Sequence, residues 1–283
     1  MINVVGIVGG GIMGAGIAEV TARSGCEVVL REVNEAAVEG ARARLTASLD
    51  KAVRNGKLPE DERNAIRDRV RFTDALDDLS ECDLVAEAAI EDEEAKTAIF
   101  AALGKVVRAD ALLTSNTSSI PIMKLAAVTP SPERVIGMHF FNPATVLPLV
   151  EIIPCELTSD ETVQRVREFA YDRLGKTIVL AKDRAGFVVN ALLIPYLLAA
   201  IRMVDAGLAS AEDVDTAMVA GCAHPMGPLA LTDLIGLDTA AAVAVSMYEE
   251  TKEQLYAPPA LLLRKVEAGD LGRKTGRGFF TYH

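Results

Sequence analysis

One of only three histidines in the chain, His139, stands in Gly137-Met138-His139-Phe140-Phe141-Asn142-Pro143. Twelve residues further on, Glu151 interrupts the apolar run Leu149-Val150-Glu151-Ile152-Ile153. Histidine is the side chain whose ordinary charge change lies near neutral pH, and a neighbouring carboxylate can fix its tautomer and raise its basicity. These two residue types point to proton transfer, with His139 as acid or base and Glu151 as its partner. On its own the pair specifies no reaction.

The amino terminus adds a place for a redox cofactor. Residues 3–8 form a short apolar strand that runs into Gly9-Gly10-Gly11-Ile12-Met13-Gly14, and the turn opens an Ala-rich helix over 15–24. In such a Gly-x-Gly-x-x-Gly turn, Gly9 makes the tight bend and Gly11 lets a pyrophosphate approach the backbone. Gly14 lets the helix pack on the strand, while the helix N-terminus attracts the anion. A second strand over 27–30 ends at Arg31-Glu32. Glu32 stands 21 residues after Gly11, about where an acid binds the adenosine ribose hydroxyls. A carboxylate there accepts two hydroxyls and repels a 2′-phosphate, which favours NAD over NADP. Strand alternation sends Arg31 to the opposite face as a solvated charge.

A third group is polar. The strand over 111–115 ends in Ser115-Asn116-Thr117-Ser118-Ser119, at the rim where open α/β sheets bind ligands. A hydroxyl there could bond a substrate oxygen, and Asn116 a ribose or nicotinamide; capping of the helix before Pro121 accounts for the same composition. Asn190, in Gly186-Phe187-Val188-Val189-Asn190, is an amide among apolar residues that needs partners, structural or substrate. His224, in a turn between helices, reads as structural and His283 as a solvated terminal residue. The side chains of Met13 and Met226 read as packing.

The elements that position these groups fall into two regions. Up to residue 183, strands over 70–72, 83–88, 111–115, 135–140, 149–153 and 177–181 alternate with helices over 34–55, 91–107 and 159–174. The pattern predicts a sheet covered on both faces and largely parallel at its start. The charged stretch 34–70 predicts a helical hairpin projecting from that sheet. From residue 184 on, helices are expected over 187–204 (kinked at Pro195), 211–219, 229–250 and 259–268, with no convincing strand before Phe279. The Ala-rich stretch 237–247 suggests burial against a second subunit.

The chain has 283 residues, 50% hydrophobic and 24% charged, a balance expected of a soluble globular protein. No apolar stretch reaches the roughly 20 residues needed to span a bilayer, and the first residues enter a strand directly, without a secretory or transit signal. Cys26, Cys82, Cys155 and Cys222 are scattered without a C-x-x-C, which argues against a zinc site or disulfide framework and suits a reducing cytoplasm. A net charge of −11 disfavours nucleic-acid and anionic-membrane partners.

Taken together, these motifs resemble the L-3-hydroxyacyl-CoA dehydrogenases, and among them the bacterial 3-hydroxybutyryl-CoA dehydrogenases. The likeness runs through Gly9–Ala18, Glu87-Ala88-Ala89-Ile90-Glu91, the 115–119 cluster, His139-Phe140-Phe141-Asn142-Pro143, Gly186–Asn190, His224-Pro225-Met226-Gly227-Pro228 and the segment 272–279. It implies an NAD-binding Rossmann-type first domain (1–183), an all-helical substrate and dimerisation domain (184–283), and a site in the cleft between them. Carried over residue by residue, His139 is the general acid/base, Glu151 its orienting partner, Ser118 the ligand of the substrate's 3-oxygen, and Asn190 and Asn142 hold the reacting groups. Gly9, Gly11, Ile12, Met13, Gly14, Glu32, Glu91, Lys96, Asn116, Ser118, Asn142 and Lys274 fall at NAD, and Ser48 at the acyl-CoA. The expected partners are an acyl-CoA and a second copy of the chain, with no metal.

Two departures stand out. Relatives often carry Arg where Ala191 stands, and some carry Lys where Asn55 stands, which leaves Arg54 or Lys57 for the CoA phosphate. Two rival readings also remain: a dehydrogenase of a free hydroxy acid or an acyl-carrier-protein thioester, and a nucleotide-binding structural protein without catalysis. The intact set Ser118, His139, Glu151 and Asn190 argues against the second.

Overall fold

The computed structural model describes residues 1–282; His283, and with it the expectation of a solvated terminal imidazole, lies outside the described residues. The chain divides into two compact units, Met1–Asp183 and Arg184–His283.

In the first unit the elements follow as β1 (Val4–Val8), α1 (Ile12–Arg23), β2 (Glu27–Arg31), α2 (Glu35–Arg54), α3 (Glu60–Asp68), β3 (Val70–Thr73), β4 (Leu84–Glu87), α4 (Glu93–Val106), β5 (Leu112–Ser115), α5 (Ile122–Ala127), β6 (Val135–Phe140), β7 (Leu149–Ile153), α6 (Asp160–Glu168) and β8 (Thr177–Leu180). They build one eight-stranded sheet in the order β3-β2-β1-β4-β5-β6-β7-β8. Strands β4, β5 and β6 are buried along their whole length, as a strand covered by helices on both faces must be. Strand order reverses at β1, which pairs with β2 on one side and β4 on the other. That reversal opens a crevice at the strands' C-terminal ends, and there the glycine turn emerges. Only the β6–β7 pairing is antiparallel.

The stretch expected to project as a hairpin does form two helices, but it lies on the sheet unit. Ala41, Leu45, Leu49, Leu58 and Ile66 join the unit's core, because α2 carries Val38, Ala41, Leu45 and Leu49 at helical spacing on one face. Arg63 ties α3 back to α2 through Asp50.

The second unit comprises α7 (Val189–Asp205), α8 (Ala211–Cys222), α9 (Pro228–Ile235), α10 (Leu237–Thr251) and α11 (Ala260–Glu267). Its core is built from Ile194, Leu198, Ile201, Leu229, Leu237, Ala244, Met247 and Leu262. The continuous helix expected over 229–250 is two, bent by 95° at Gly236, whose φ is +103°. Glycine alone reaches that conformation without steric cost, and a Cβ there would also lie 2.9 Å from Asp238 Oδ1. Buried Asp233 anchors the carboxyl-terminal segment, accepting hydrogen bonds from the amides of Phe279 and Phe280 and from Tyr282 Oη. Burial, with that hydrogen bond, pushes the Tyr282 hydroxyl up to about 12. Among the described residues no single helix is long and apolar enough to cross a membrane.

Candidate active site

The antiparallel register of β6 on β7 sets His139 directly opposite Glu151. Directly opposed residues project to the same face, within side-chain reach of each other. His139 Nδ1 lies 2.9 Å from Glu151 Oε2, with the two residues 4% and 0% exposed. A carboxylate only accepts, so Nδ1 carries the hydrogen and Nε2 is left as the basic nitrogen. Ser118 Oγ stands 2.9 Å from that Nε2, and the Phe141 ring meets the imidazole edge-on with centroids 4.6 Å apart. A hydroxyl, an imidazole and a carboxylate thus stand in line, and such a line can accept or deliver one proton at Nε2.

Ser118 owes its place to a second set of charges. Glu91, in the loop after β4, uses Oε1 to accept from Thr117 Oγ1 (2.6 Å), the Ser118 amide (2.8 Å), the Ser119 amide (3.1 Å) and Ser119 Oγ (2.9 Å). Its Oε2 lies 3.4 Å from Lys96 Nζ. Burial works against the Glu91 anion, but the charge of Lys96 and the hydrogen bonds from residues 117–119 more than offset it and hold the carboxyl below its usual value. Lys96 itself is 1% exposed and donates to Glu87 Oε1 at 2.5 Å. The other oxygen of Glu87 accepts from Ser115 Oγ at 2.6 Å. Asn116 points its carbonyl away from this cluster, accepting from the Phe140 amide on β6.

The glycine turn has the form that a dinucleotide needs. Gly9 has φ +94°, and a Cβ on Gly14 would fall 1.8 Å from the Gly9 carbonyl oxygen, so both glycines serve the fold itself. A Cβ on Gly11 would meet nothing within 4 Å, so the space over it is open to a ligand. No side chain caps α1, and its first turn holds no acid, which leaves its amides to an anion. Glu32 is fixed over the turn, accepting from the amides of Gly10 and Val33. Arg31 is not simply solvated, for its Nε donates to Asp74 O. Ile12, Val33 and Ile90, which follow β1, β2 and β4, are 71%, 68% and 71% exposed.

The remaining candidates are scattered through both units. Ser48 and Lys51, three residues apart, are neighbours on the surface of α2; Arg54 is its last residue and Asn55 its C-cap. Asn142 is exposed next to a cis peptide bond to Pro143. Behind that loop, buried Lys176 donates to the carbonyls of Ala144 and Leu147. In the second unit Asn190 lies in the first turn of α7, and Lys274 is paired with both oxygens of Asp238 at 2.6 Å. His224 Nδ1 is 3.0 Å from Tyr196 Oη. Among the described residues no group of three or more His, Cys, Asp or Glu could hold a metal ion.

Sequence reasoning gave no site role to Glu87, Asp238, Lys176 or Arg44; the last donates to the Gly10 carbonyl. Glu87 alone carried a signal, as a charge closing an otherwise apolar strand.

A model of the 3-hydroxyacyl-CoA dehydrogenase NAD binding domain matches residues 4–184, and one of the C-terminal domain of the same family matches 186–282. The chain is 57% identical over 279 residues to a 3-hydroxybutyryl-CoA dehydrogenase of Mycobacterium tuberculosis, covering 98% of each. It is 42% identical to one of Bradyrhizobium diazoefficiens, covering 100% of this chain and 96% of that one. A crystal structure of (S)-3-hydroxybutyryl-CoA dehydrogenase from Ralstonia eutropha superposes with a TM-score of 0.94 at 44% identity, covering both chains fully.

Proposed function

The chain belongs to the 3-hydroxyacyl-CoA dehydrogenase family and is an NAD-dependent oxidoreductase; from that premise we propose that it interconverts (S)-3-hydroxybutyryl-CoA and acetoacetyl-CoA. The observation that carries the reading is the Ser118–His139–Glu151 line, with 2.9 Å at each step. When bound, NAD supplies the hydride acceptor for oxidation of the 3-hydroxyl and, as NADH, the donor for the reverse. His139 Nε2 removes the hydroxyl proton as the C3 hydride leaves, and Glu151 stabilises the imidazolium so formed. Ser118 Oγ donates to the 3-oxygen as negative charge builds on it, and this bond strengthens towards the transition state. In the reverse direction the imidazolium returns the proton to the developing alkoxide.

Glu32 and the amides of the glycine turn hold the dinucleotide, with Ile12, Val33 and Ile90 offering apolar surface to its adenine end. Asn190 and Asn142 hold the reacting groups. Ser48, with Lys51 on the same helical face, holds the CoA moiety.

A homodimer formed through the second unit belongs to the same proposal. Its support is that α8 buries only Val214, while Val219, Leu192 and Leu208 are 43%, 73% and 74% exposed. Light scattering is expected to return twice the chain mass, and Val219→Glu to halve it.

The test of the activity is NADH oxidation with 3-ketoacyl-CoA substrates of increasing length, run in parallel with NADPH and with pantetheine thioesters. Turnover is expected to be highest with acetoacetyl-CoA and NADH. A protein that turned over no acyl-CoA of any length, or that preferred the pantetheine thioester, would overturn the substrate assignment.

A further inference from the structure

The connection from β6 to β7, residues 141–148, carries Asn142 and joins the strand of His139 to the strand of Glu151. Little apolar packing fixes it: Ala144 is buried, while Val146 and Leu147 are exposed. Within the loop the Pro143 carbonyl accepts from the amides of Val146 and Leu147, at 2.9 Å each. Two further ties come from Lys176, the residue just before β8. Its Nζ donates to Ala144 O at 2.6 Å and to Leu147 O at 2.7 Å. Lys176 is itself anchored, its own amide donating to Ala170 O and the next amide, that of Thr177, to Pro148 O.

A lysine in that place is costly. The residue is 7% exposed, and burial holds its ammonium below the usual lysine value. Among the described residues no carboxylate pairs with it. Enclosing an unpaired charge costs more than enclosing a neutral donor, so fold stability alone does not explain the choice. What an ammonium offers is charge-assisted hydrogen bonds to two carbonyls at once, shorter and stronger than neutral ones. Ala144 also presses on α1, the helix that opens from the glycine turn, for a Cβ on Gly16 would lie 3.3 Å from Ala144 Cβ. At Ala144 the loop is thus tied both to Lys176 and to the dinucleotide helix.

Resting on the placement of Asn142 at the cofactor, we infer that Lys176 is a positioning residue. By fixing the carbonyls of Ala144 and Leu147, it holds the loop where Asn142 meets the dinucleotide. Lys176 touches neither cofactor nor substrate, since its hydrogens go to backbone oxygens behind Asn142.

A double-mutant cycle on Lys176 and Asn142 tests this, because a residue that only supports the fold acts alike whether or not Asn142 is present. Lys176→Met, of similar length but without donor or charge, is expected to weaken NADH binding roughly three- to tenfold by fluorescence titration. Its kcat is expected to fall roughly tenfold. In the Asn142→Ala background the same exchange is expected to change either quantity by less than about twofold. Lys176→Gln guards against a methionine variant that fails to fold. It keeps two N–H donors on an uncharged chain one atom shorter, and a roughly two- to threefold weakening of NADH binding is expected, again only with Asn142 present.

A folded Lys176→Met with parental NADH affinity and kcat would overturn the inference. So would equal losses with and without Asn142 in whichever variant folds, which would make Lys176 a support of the fold alone. Asn142→Ala with parental NADH affinity would overturn it too, by removing the residue through which it works. NADH binding is read without substrate, so a protein that turned over no acyl-CoA would sink the substrate assignment and leave the cycle readable.

Discussion

Glu87 and Glu151 lie in strands of the same sheet, both at 0% exposure, each against a nitrogen of opposite or switchable charge. Lys96 faces Glu87 at 2.5 Å and His139 faces Glu151 at 2.9 Å. The partner's chemistry separates them. An ammonium keeps its charge across neutral pH and an imidazole does not. A buried carboxylate needs a partner in either case, because an unpaired charge in the interior is costly. Glu87 with Lys96 therefore makes a joint, holding three elements together. In the proposed mechanism Glu151 with the imidazole of His139 makes a switch, whose two states differ by one proton. Similar burial and similar distances thus serve opposite ends in the proposed mechanism, rigidity in one place and proton exchange in the other.

The sharpest way to break that contrast is at the switch. His139→Gln is expected to lower kcat by roughly ten-thousandfold, the upper part of the range for a general acid/base, with NADH binding unchanged; a variant that kept most of its activity would show that the proton moves elsewhere. Glu151→Gln comes next, at roughly a thousandfold in kcat, since it deprives the ring of the group that fixes its tautomer and stabilises its cation. The same exchange at Glu87, if the joint is only a joint, costs far less in steady-state assays. Equal losses at the two sites would abolish the distinction. Ser118→Ala is expected to cost roughly a hundredfold in kcat, with a smaller change in KM, as a donor to the developing alkoxide should.

The smallest effect concerns pH and the joint's outer carboxylate. Burial opposes the Glu91 anion, and the charge of Lys96 with the hydrogen bonds of residues 117–119 outweighs it, so the folded-state value lies below the usual 4.5. A depressed carboxyl stabilises the fold fully above its unfolded value and loses that contribution as pH falls through the folded one. Glu91→Gln should therefore be less stable than the parent at neutral pH, with the gap closing below about pH 4. Urea midpoints taken down a pH series check this, and a gap independent of pH would refute it. On stability the ranking inverts: Lys96→Met, which strands Glu87, is expected to cost about 3–5 kcal/mol, the usual penalty for breaking a buried pair.

Much of this was legible in local pattern. The glycine turn between strand and helix, the alternation of β and α segments up to residue 183, and the helical character of the rest all depend on spacings within a few residues, which sequence displays directly. Other features were not. The helix expected over 229–250 breaks at Gly236, because a single glycine in an apolar stretch marks a break or a packing contact equally well until its neighbours Asp238 and Lys274 are placed. The hairpin of α2 and α3 lies on the core, since the same apolar stripe suits either a projecting pair or a packed one.

By itself the sequence displayed residue types suited to proton transfer and dinucleotide binding, and the strand or loop that carries each one. Only the tertiary structure decided their pairing. The register that puts His139 across from Glu151, and the enclosure of Lys96 between Glu87 and Glu91, depend on strands and helices that meet through space. Secondary structure follows from local dihedral and burial preferences, whereas an electrostatic partner is chosen by distance in the folded chain, a quantity that no local spacing encodes.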